Sequence, residues 1–157
     1  MHATVSAIKA VIIYQTTYGH NREASMHMAK SLRAIGHEAD CHNVHDILAE
    51  EVKGADLYLF CSPTHIGRPP RKMRSLLKAV SAVQRDGDYA LVVTRLPEGE
   101  GGPRFRTTEM MEGIISKGHM RHRGSLELEC VAMSGPLEEG WGGKLDSFLA
   151  SVLAEML

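Results

Sequence analysis

Two short polar segments of this chain carry the residue types that hold a ligand rather than fill a core. The first reads Tyr14-Gln15-Thr16-Thr17-Tyr18-Gly19-His20-Asn21, directly after an apolar run, with helical spacing beginning near Arg22. A helix start exposes unpaired N–H groups and carries about half a positive charge, so it attracts a doubly negative ester group. Thr16 and Thr17 offer hydroxyl donors, and Gly19 lets the backbone approach closely or take positive φ. Asn21 can cap the helix or donate its amide to the same anion. A plain strand–turn–helix with a good N-cap would read the same from these residues alone. Other phosphate loops fit worse. Gly140-Trp141-Gly142-Gly143-Lys144 lacks the upstream glycine of a Walker loop and is followed by Leu145, where a hydroxyl is needed. Gly99-Glu100-Gly101-Gly102-Pro103-Arg104 misses the last glycine of Gly-x-Gly-x-x-Gly.

The second segment is Cys61-Ser62-Pro63-Thr64-His65-Ile66-Gly67-Arg68-Pro69-Pro70. Gly67 is its cheapest point of backbone rotation, and Pro69-Pro70 preorganises the next helix start. His65 is either a ring partner for a ligand or an exposed loop histidine. Six residues separate Cys61 from Arg68, one too many for the Cys-x5-Arg anion cup of tyrosine phosphatases. His37, Cys41, His42 and His45 make the one metal-like cluster. Their spacing matches no standard zinc pattern, and His42 should face away from Cys41, so they read as surface residues of an edge strand. No metal site and no catalytic triad or carboxylate pair follows from the spacing.

Both segments depend on the elements that flank them. Near-continuous apolar runs at 8–14, 56–61, 89–94 and 126–133 suit strands covered on both faces, and the alternation over 38–44 suits an edge strand. Between them lie helical stripes. These are Ala24, Met28, Leu32 and Ile35, stopped by Gly36; Met73, Leu76, Leu77 and Val80; Met110, Met111, Ile114 and Ile115; and Leu145, Phe148, Leu149, Val152 and Leu153. The Met-rich stripes read as core. A short helix is expected around 46–52. The result is βαβαβαβαβα, an α/β fold with a three-layer, doubly wound, five-stranded parallel sheet in the order 2-1-3-4-5. Ligands of such sheets lie beyond the carboxyl ends of the strands, where both polar segments fall. The whole of 1–157 is expected to form one domain.

Bulk composition excludes several classes. Hydrophobic residues make up 43% and charged residues 24%, as in a globular chain. No apolar run is long enough for a transmembrane segment and the start is no signal peptide, so the cytoplasm is the expected compartment. Cys41, Cys61 and Cys130 lie far apart and read as small buried residues under reducing conditions. A net charge of −1 and basic clusters without interleaved aromatics argue against nucleic acid.

At this point the chain resembles the flavodoxin-like family. Thr16, Gly19 and Asn21 match its phosphate loop of hydroxyl, two residues, glycine, any residue, then Thr or Ser, with Asn21 in place of the closing hydroxyl. Ser62-Pro63-Thr64 through Gly67 resembles the loop after the third strand in quinone-reductase-like flavodoxins and in the flavodoxin domains of protoporphyrinogen oxidases. The resemblance covers 8–94 well and the remainder loosely. It implies FMN as cofactor, with Thr16, Thr17, Tyr18, Gly19, His20 and Asn21 around its phosphate. It further implies that Ser62, Pro63, Thr64, His65, Ile66 and Gly67 meet the ring edge, and that Leu96 and Pro97 follow from the next loop. The peptide next to Gly67 would turn as the flavin gains a proton.

Two departures stand out. The family stacks aromatics on the ring, one of them from the loop after strand four, where this chain has none until Phe105; Tyr18, His65, Phe105 and Trp141 are the available rings. Trp141, in a glycine-rich loop, is alternatively a partner or homodimer contact. Shuttle flavodoxins are acidic, whereas Arg68, Arg71, Lys72, Arg74, Arg104 and Arg106 put positive charge near the expected flavin. Arg121-His122-Arg123 is expected before strand five, at the other end of the sheet. A basic rim suits an anionic small-molecule acceptor or an acidic redox partner protein, and a solvated helix face is the plain alternative. The expected activity is FMN-dependent electron or hydride transfer, with NAD(P)H as a donor to test. The alternatives are a pure electron carrier and a flavin-free scaffold.

Overall fold

Alternate side chains of the first strand feed two separate cores. Ala10, Ile12 and Tyr14 point to one face and Val11 and Ile13 to the other, and all are buried. This is the period-two pleat of a strand covered on both sides. The computed structural model describes residues 6–97 and 106–156. Its elements run β1 (Lys9–Tyr14), α1 (His20–Ala34), β2 (Glu38–Asn43), a 3-10 turn (Ala49–Val52), β3 (Leu57–Ser62), α2 (Arg71–Val83), β4 (Asp88–Arg95), α3 (Thr107–Ile115), β5 (Arg121–Glu129) and α4 (Trp141–Glu155). The five strands pair in parallel in the order β2-β1-β3-β4-β5. Helices α1 and α4 cover one face, and α2, α3 and the 3-10 turn cover the other. The α/β fold, layering and strand order expected from the alternation are therefore present.

The helical stripes form as their spacing predicts, except that Ile35 lies past the end of α1 and is largely exposed. Ala24, Met28 and Leu32 of α1 are buried against β1 and β3, and Met73, Leu76, Leu77 and Val80 of α2 pack into the second core. Each such side chain stabilises the fold by roughly 1.5–3 kcal/mol. Gly36, at φ +95°, follows the end of α1 where a left-handed residue is needed.

Boundaries depart from the sequence reading in four places. The expected helix at 46–52 shortens to a single 3-10 turn. α1 begins at His20, with Gly19 as its N-cap, so Asn21 sits inside the first turn and does not cap it. β5 spans Arg121–Glu129, so Arg121, His122 and Arg123 are strand residues, while Val131 and Met133 are exposed loop. The early start reflects Asp88: Nε of Arg121 and Nε of Arg123 both donate to its buried Oδ1, at 2.9 and 2.8 Å, which pins the strand to β4. Trp141 is the half-buried first residue of α4, its ring edge-on to His27 at 5.2 Å, so it is not a loop residue.

The cysteines are all free; Cys61 and Cys130 are buried and Cys41 is half-buried. Burial pushes the Cys61 thiol up to about 12 and raises Cys41 and Cys130 in the same direction. In the His-rich stretch, Nδ1 of His37 accepts the N–H of Ile8 at 3.1 Å, which holds the entry to β1. No helix among the described residues is long and apolar enough to cross a membrane.

Candidate functional site

The first loop leaves β1 at Gln15 and turns into α1 through Gly19, whose φ of +91° places it in the left-handed region. Thr16 Oγ1 accepts the Gly19 N–H at 2.8 Å, closing the turn, and its own hydroxyl hydrogen remains to be donated outward. The first intrahelical bond runs from Glu23 N–H to Gly19 O, at 2.9 Å. The N–H groups of His20, Asn21 and Arg22 therefore donate to nothing among the described residues, as do those of Thr17 and Tyr18. These five donors surround one turn at the positive end of a 15-residue helix.

Asn21 is 1% exposed. Its Nδ2 donates to Thr94 Oγ1 at 2.8 Å, and its Oδ1 has no partner. A buried unpaired carbonyl oxygen costs about 1–3 kcal/mol, so the local packing leaves a polar demand unmet. His20 is held twice: its Nε2–H donates to Gly135 O, and Nδ1 lies 3.4 Å from Cys130 Sγ. The carbonyl can only accept, which makes Nδ1 the acceptor of the thiol proton. Burial raises the Cys130 pKa, so the thiol keeps that proton.

The second loop follows β3. Ser62 Oγ donates to Pro63 O at 2.9 Å, and Thr64 Oγ1 donates to Thr94 O at 3.0 Å while accepting from Thr107 Oγ1 at 3.0 Å. Both hydroxyls are spent within the protein and shape the loop. His65 and Arg68 exchange backbone hydrogen bonds of 2.8 and 3.2 Å around Ile66 and Gly67. Those two residues have φ of +52° and +75°, the double positive φ of a type I′ turn. Thr17 Oγ1 lies 3.2 Å from His65 Nε2, joining the two loops.

Together the loops enclose a cavity of about 140 Å³ beyond the carboxyl ends of the strands. Of the residues expected from sequence, Thr16, Thr17, Tyr18, His20, Asn21, Pro63, Thr64, His65 and Leu96 line it. Gly19 shapes the wall from behind, Ser62 is buried beneath it, and Ile66, Gly67 and Pro97 lie outside the lining. Tyr18, His20 and His65 are the rings at the cavity, whereas Trp141 packs on His27 elsewhere. Phe105 and Arg104 lie outside the described residues. Sequence reading missed Thr94, Arg95, Cys130 and Met133, which also line it. Thr94 and Arg95 end β4 and Cys130 follows β5, so the strand-end rule was the available signal. Arg95 is paired to Glu127 and Glu129, at 3.0 and 3.4 Å.

Residues 12–132 match the family model for flavodoxin. No curated protein sequence matches the chain. Among solved structures, a short-chain flavodoxin associated with a PDU bacterial microcompartment is 15% identical. It superposes with a TM-score of 0.79 over 96% of this chain and 99% of its own. A Streptococcus pneumoniae flavodoxin gives 0.75 at 16% identity, over 93% and 98%. The rubredoxin oxygen:oxidoreductase of Desulfovibrio gigas gives 0.77 at 12% identity; 94% of this chain covers 36% of that one. At these identities the superpositions speak for the fold.

Proposed function

The chain belongs to the flavodoxin family, whose cofactor is FMN; on that premise we propose that the 16–21 and 62–67 loops hold the flavin and that the protein transfers electrons or hydride to a small or anionic acceptor. The observation that carries the reading is the group of unpartnered backbone donors at Thr17, Tyr18, His20, Asn21 and Arg22. A phosphate monoester has the charge and acceptor number that such a turn lacks. The cavity is smaller than the ~300 Å³ at which small-molecule sites begin, so it encloses part of a flavin and leaves the rest at the mouth.

When bound, FMN supplies the redox chemistry, and the protein supplies position and electrostatics. Thr16 donates its free hydroxyl hydrogen to the phosphate. The five backbone donors neutralise its charge with groups that need no reorganisation. Thr64 and Thr107 tie the ring-side loop to β4 and α3, and Tyr18, His65, Leu96 and Met133 present apolar surface to the ring. The backbone of the Ile66–Gly67 turn is the ring-edge contact that this reading assigns.

Titrating the apoprotein with FMN tests the site. Quenched flavin fluorescence with measurable heat is expected, and the absence of both signals would end the assignment. Steady-state oxidation of NAD(P)H by the FMN-loaded protein separates a reductase from a carrier. The carrier reading is favoured by the near-complete coverage of the two stand-alone flavodoxins. Free thiols at Cys41, Cys61 and Cys130 fit work in the reducing cytoplasm.

A further inference from the structure

The surface around the cavity carries side chains that weaken the fold and that flavin binding leaves unused. α2 opens with exposed Arg71 and Lys72, and Arg74 follows; its first turn holds no acidic residue and Pro70 supplies no side-chain cap. Positive charge at a helix N-terminus opposes the helix dipole, so these residues do not serve α2. Arg68, Arg71 and Lys72 have no ion-pair partner among the described residues, and Arg74 Nε is buried without one. Three other arginines are paired: Arg121 and Arg123 with Asp88, and Arg95 with Glu127 and Glu129.

Ile66 is the second cost. A β-branched residue at φ +52° is strained, and the type I′ turn it occupies prefers Asn before Gly. Its side chain is 92% exposed, so no burial offsets the strain. Val131, 65% exposed, stands in the loop after β5. All of these lie at the cavity end of the sheet. The Met73 N–H donates to Gln15 Oε1 at 3.0 Å, tying the start of α2 to the residue before Thr16, and Gly67 O accepts the Arg106 N–H at 3.0 Å.

We propose that this rim is the docking surface for an acidic electron-transfer protein. Carboxylates of the partner pair with Arg68, Arg71 and Lys72, and an apolar spot covers Ile66 and Val131. The purpose of the surface rests on the flavin reading, since electrons exchanged here require FMN. A small anion would use the cations but gain nothing from a strained, exposed isoleucine. A second copy of the chain would present the same positive charge and be repelled. Strained or unfavourable residues grouped at one site mark function rather than stability.

Calorimetric titration of the FMN-loaded protein with a plant-type [2Fe–2S] ferredoxin, an acidic one-electron carrier, tests the proposal. A basic c-type cytochrome serves as the opposite probe. Ferredoxin binding is expected to weaken at least about tenfold as salt rises from roughly 0.02 to 0.3 M, with no binding of the cytochrome. Arg71→Glu/Lys72→Glu should abolish ferredoxin binding while raising the melting temperature, because the charges then favour α2. Ile66→Asn should weaken binding and also raise the melting temperature. Preference for the cytochrome, salt-independent binding, or a charge-reversed variant that still binds would overturn it. If Ile66→Asn has no effect and ferricyanide competes fully, the rim is a small-anion site and the protein-docking proposal fails. FMN loading is read separately by flavin fluorescence. Should no FMN bind, the flavin assignment falls, and the same titration on the apoprotein still decides the docking.

Discussion

The Asn21 amide reaches Thr94 Oγ1 at 2.8 Å, which couples the first turn of α1 to the carboxyl end of β4. This bond and that of Thr64 Oγ1 to Thr94 O tie the 16–21 loop and the 62–67 loop to the same residue at the end of β4. A half-turn of the Asn21 amide would let Oδ1 accept the Thr94 hydroxyl and aim Nδ2 at a bound anion. Either orientation satisfies Thr94, whose hydroxyl both donates and accepts.

Asn21 is therefore expected to govern affinity for the phosphate rather than for the ring. Asn21→Asp removes the donor and adds a like charge, and should weaken FMN binding by about a hundredfold, or ~3 kcal/mol. Riboflavin, which lacks the phosphate, should lose far less. Asn21→Thr restores a hydroxyl and should keep FMN binding within about tenfold of the parent. Parallel fluorescence titrations with the two flavins make the comparison, and equal losses for both would remove Asn21 from the phosphate site.

Gly19 is needed for its backbone, not for space. A Cβ built there meets nothing within 4 Å, yet φ is +91°. Gly19→Ala should therefore cost about 1–2 kcal/mol through left-handed strain alone, measured by urea unfolding of the apoprotein. A loss well above that range would point to a steric role instead.

Cys61 makes stability fall at alkaline pH. Its native pKa is raised from 9.0 to about 12 by burial, so below pH 9 the thiol is neutral in both states and full stability is present. Above pH 9 only the unfolded chain ionises, and the folding equilibrium should drop by up to about tenfold per pH unit until pH 12. Cys41 and Cys130 shift in the same direction, and Tyr58 and Tyr89 add to the loss above pH 10. Cys61→Ala should show a shallower slope between pH 9 and 10 in denaturant titrations. Identical slopes would contradict the assignment.

Asp146 makes the opposite contribution at acid pH. Hydrogen bonds from Ser31 and from His27 Nε2, at 2.8 and 2.9 Å, hold its carboxyl below the ordinary value of 3.8 and clasp α4 to α1. A depressed carboxyl stabilises the fold above its unfolded pKa, and the effect is lost as pH falls through the native value. The side chain is 54% exposed, so Asp146→Asn should cost under about 1 kcal/mol near pH 6. The two proteins should converge near pH 2, as read by thermal melts across that range.

Legibility differed between the layers of the structure. Apolar runs of strand length separated by helical stripes dictate βα alternation, and right-handed crossovers leave few sheet orders, so β2-β1-β3-β4-β5 followed from residues such as Ile12, Leu59 and Leu32. The turn proposed to hold phosphate was equally local: a hydroxyl at Thr16, a glycine at 19 and a helix start lie within six residues of one another. What the sequence could not decide was which atoms were already spent. Ser62 and Thr64 stand in the segment expected at the ring edge, but packing against Pro63, Thr94 and Thr107 consumes their hydroxyls. Trp141 looked like a loop aromatic until His27, more than a hundred residues away, set it at the start of α4. Cys130 and Thr94 joined the site only because parallel strands end side by side. Short-range pattern specifies elements because backbone hydrogen bonding is local. Side-chain roles are decided by neighbours that only the closed tertiary structure supplies.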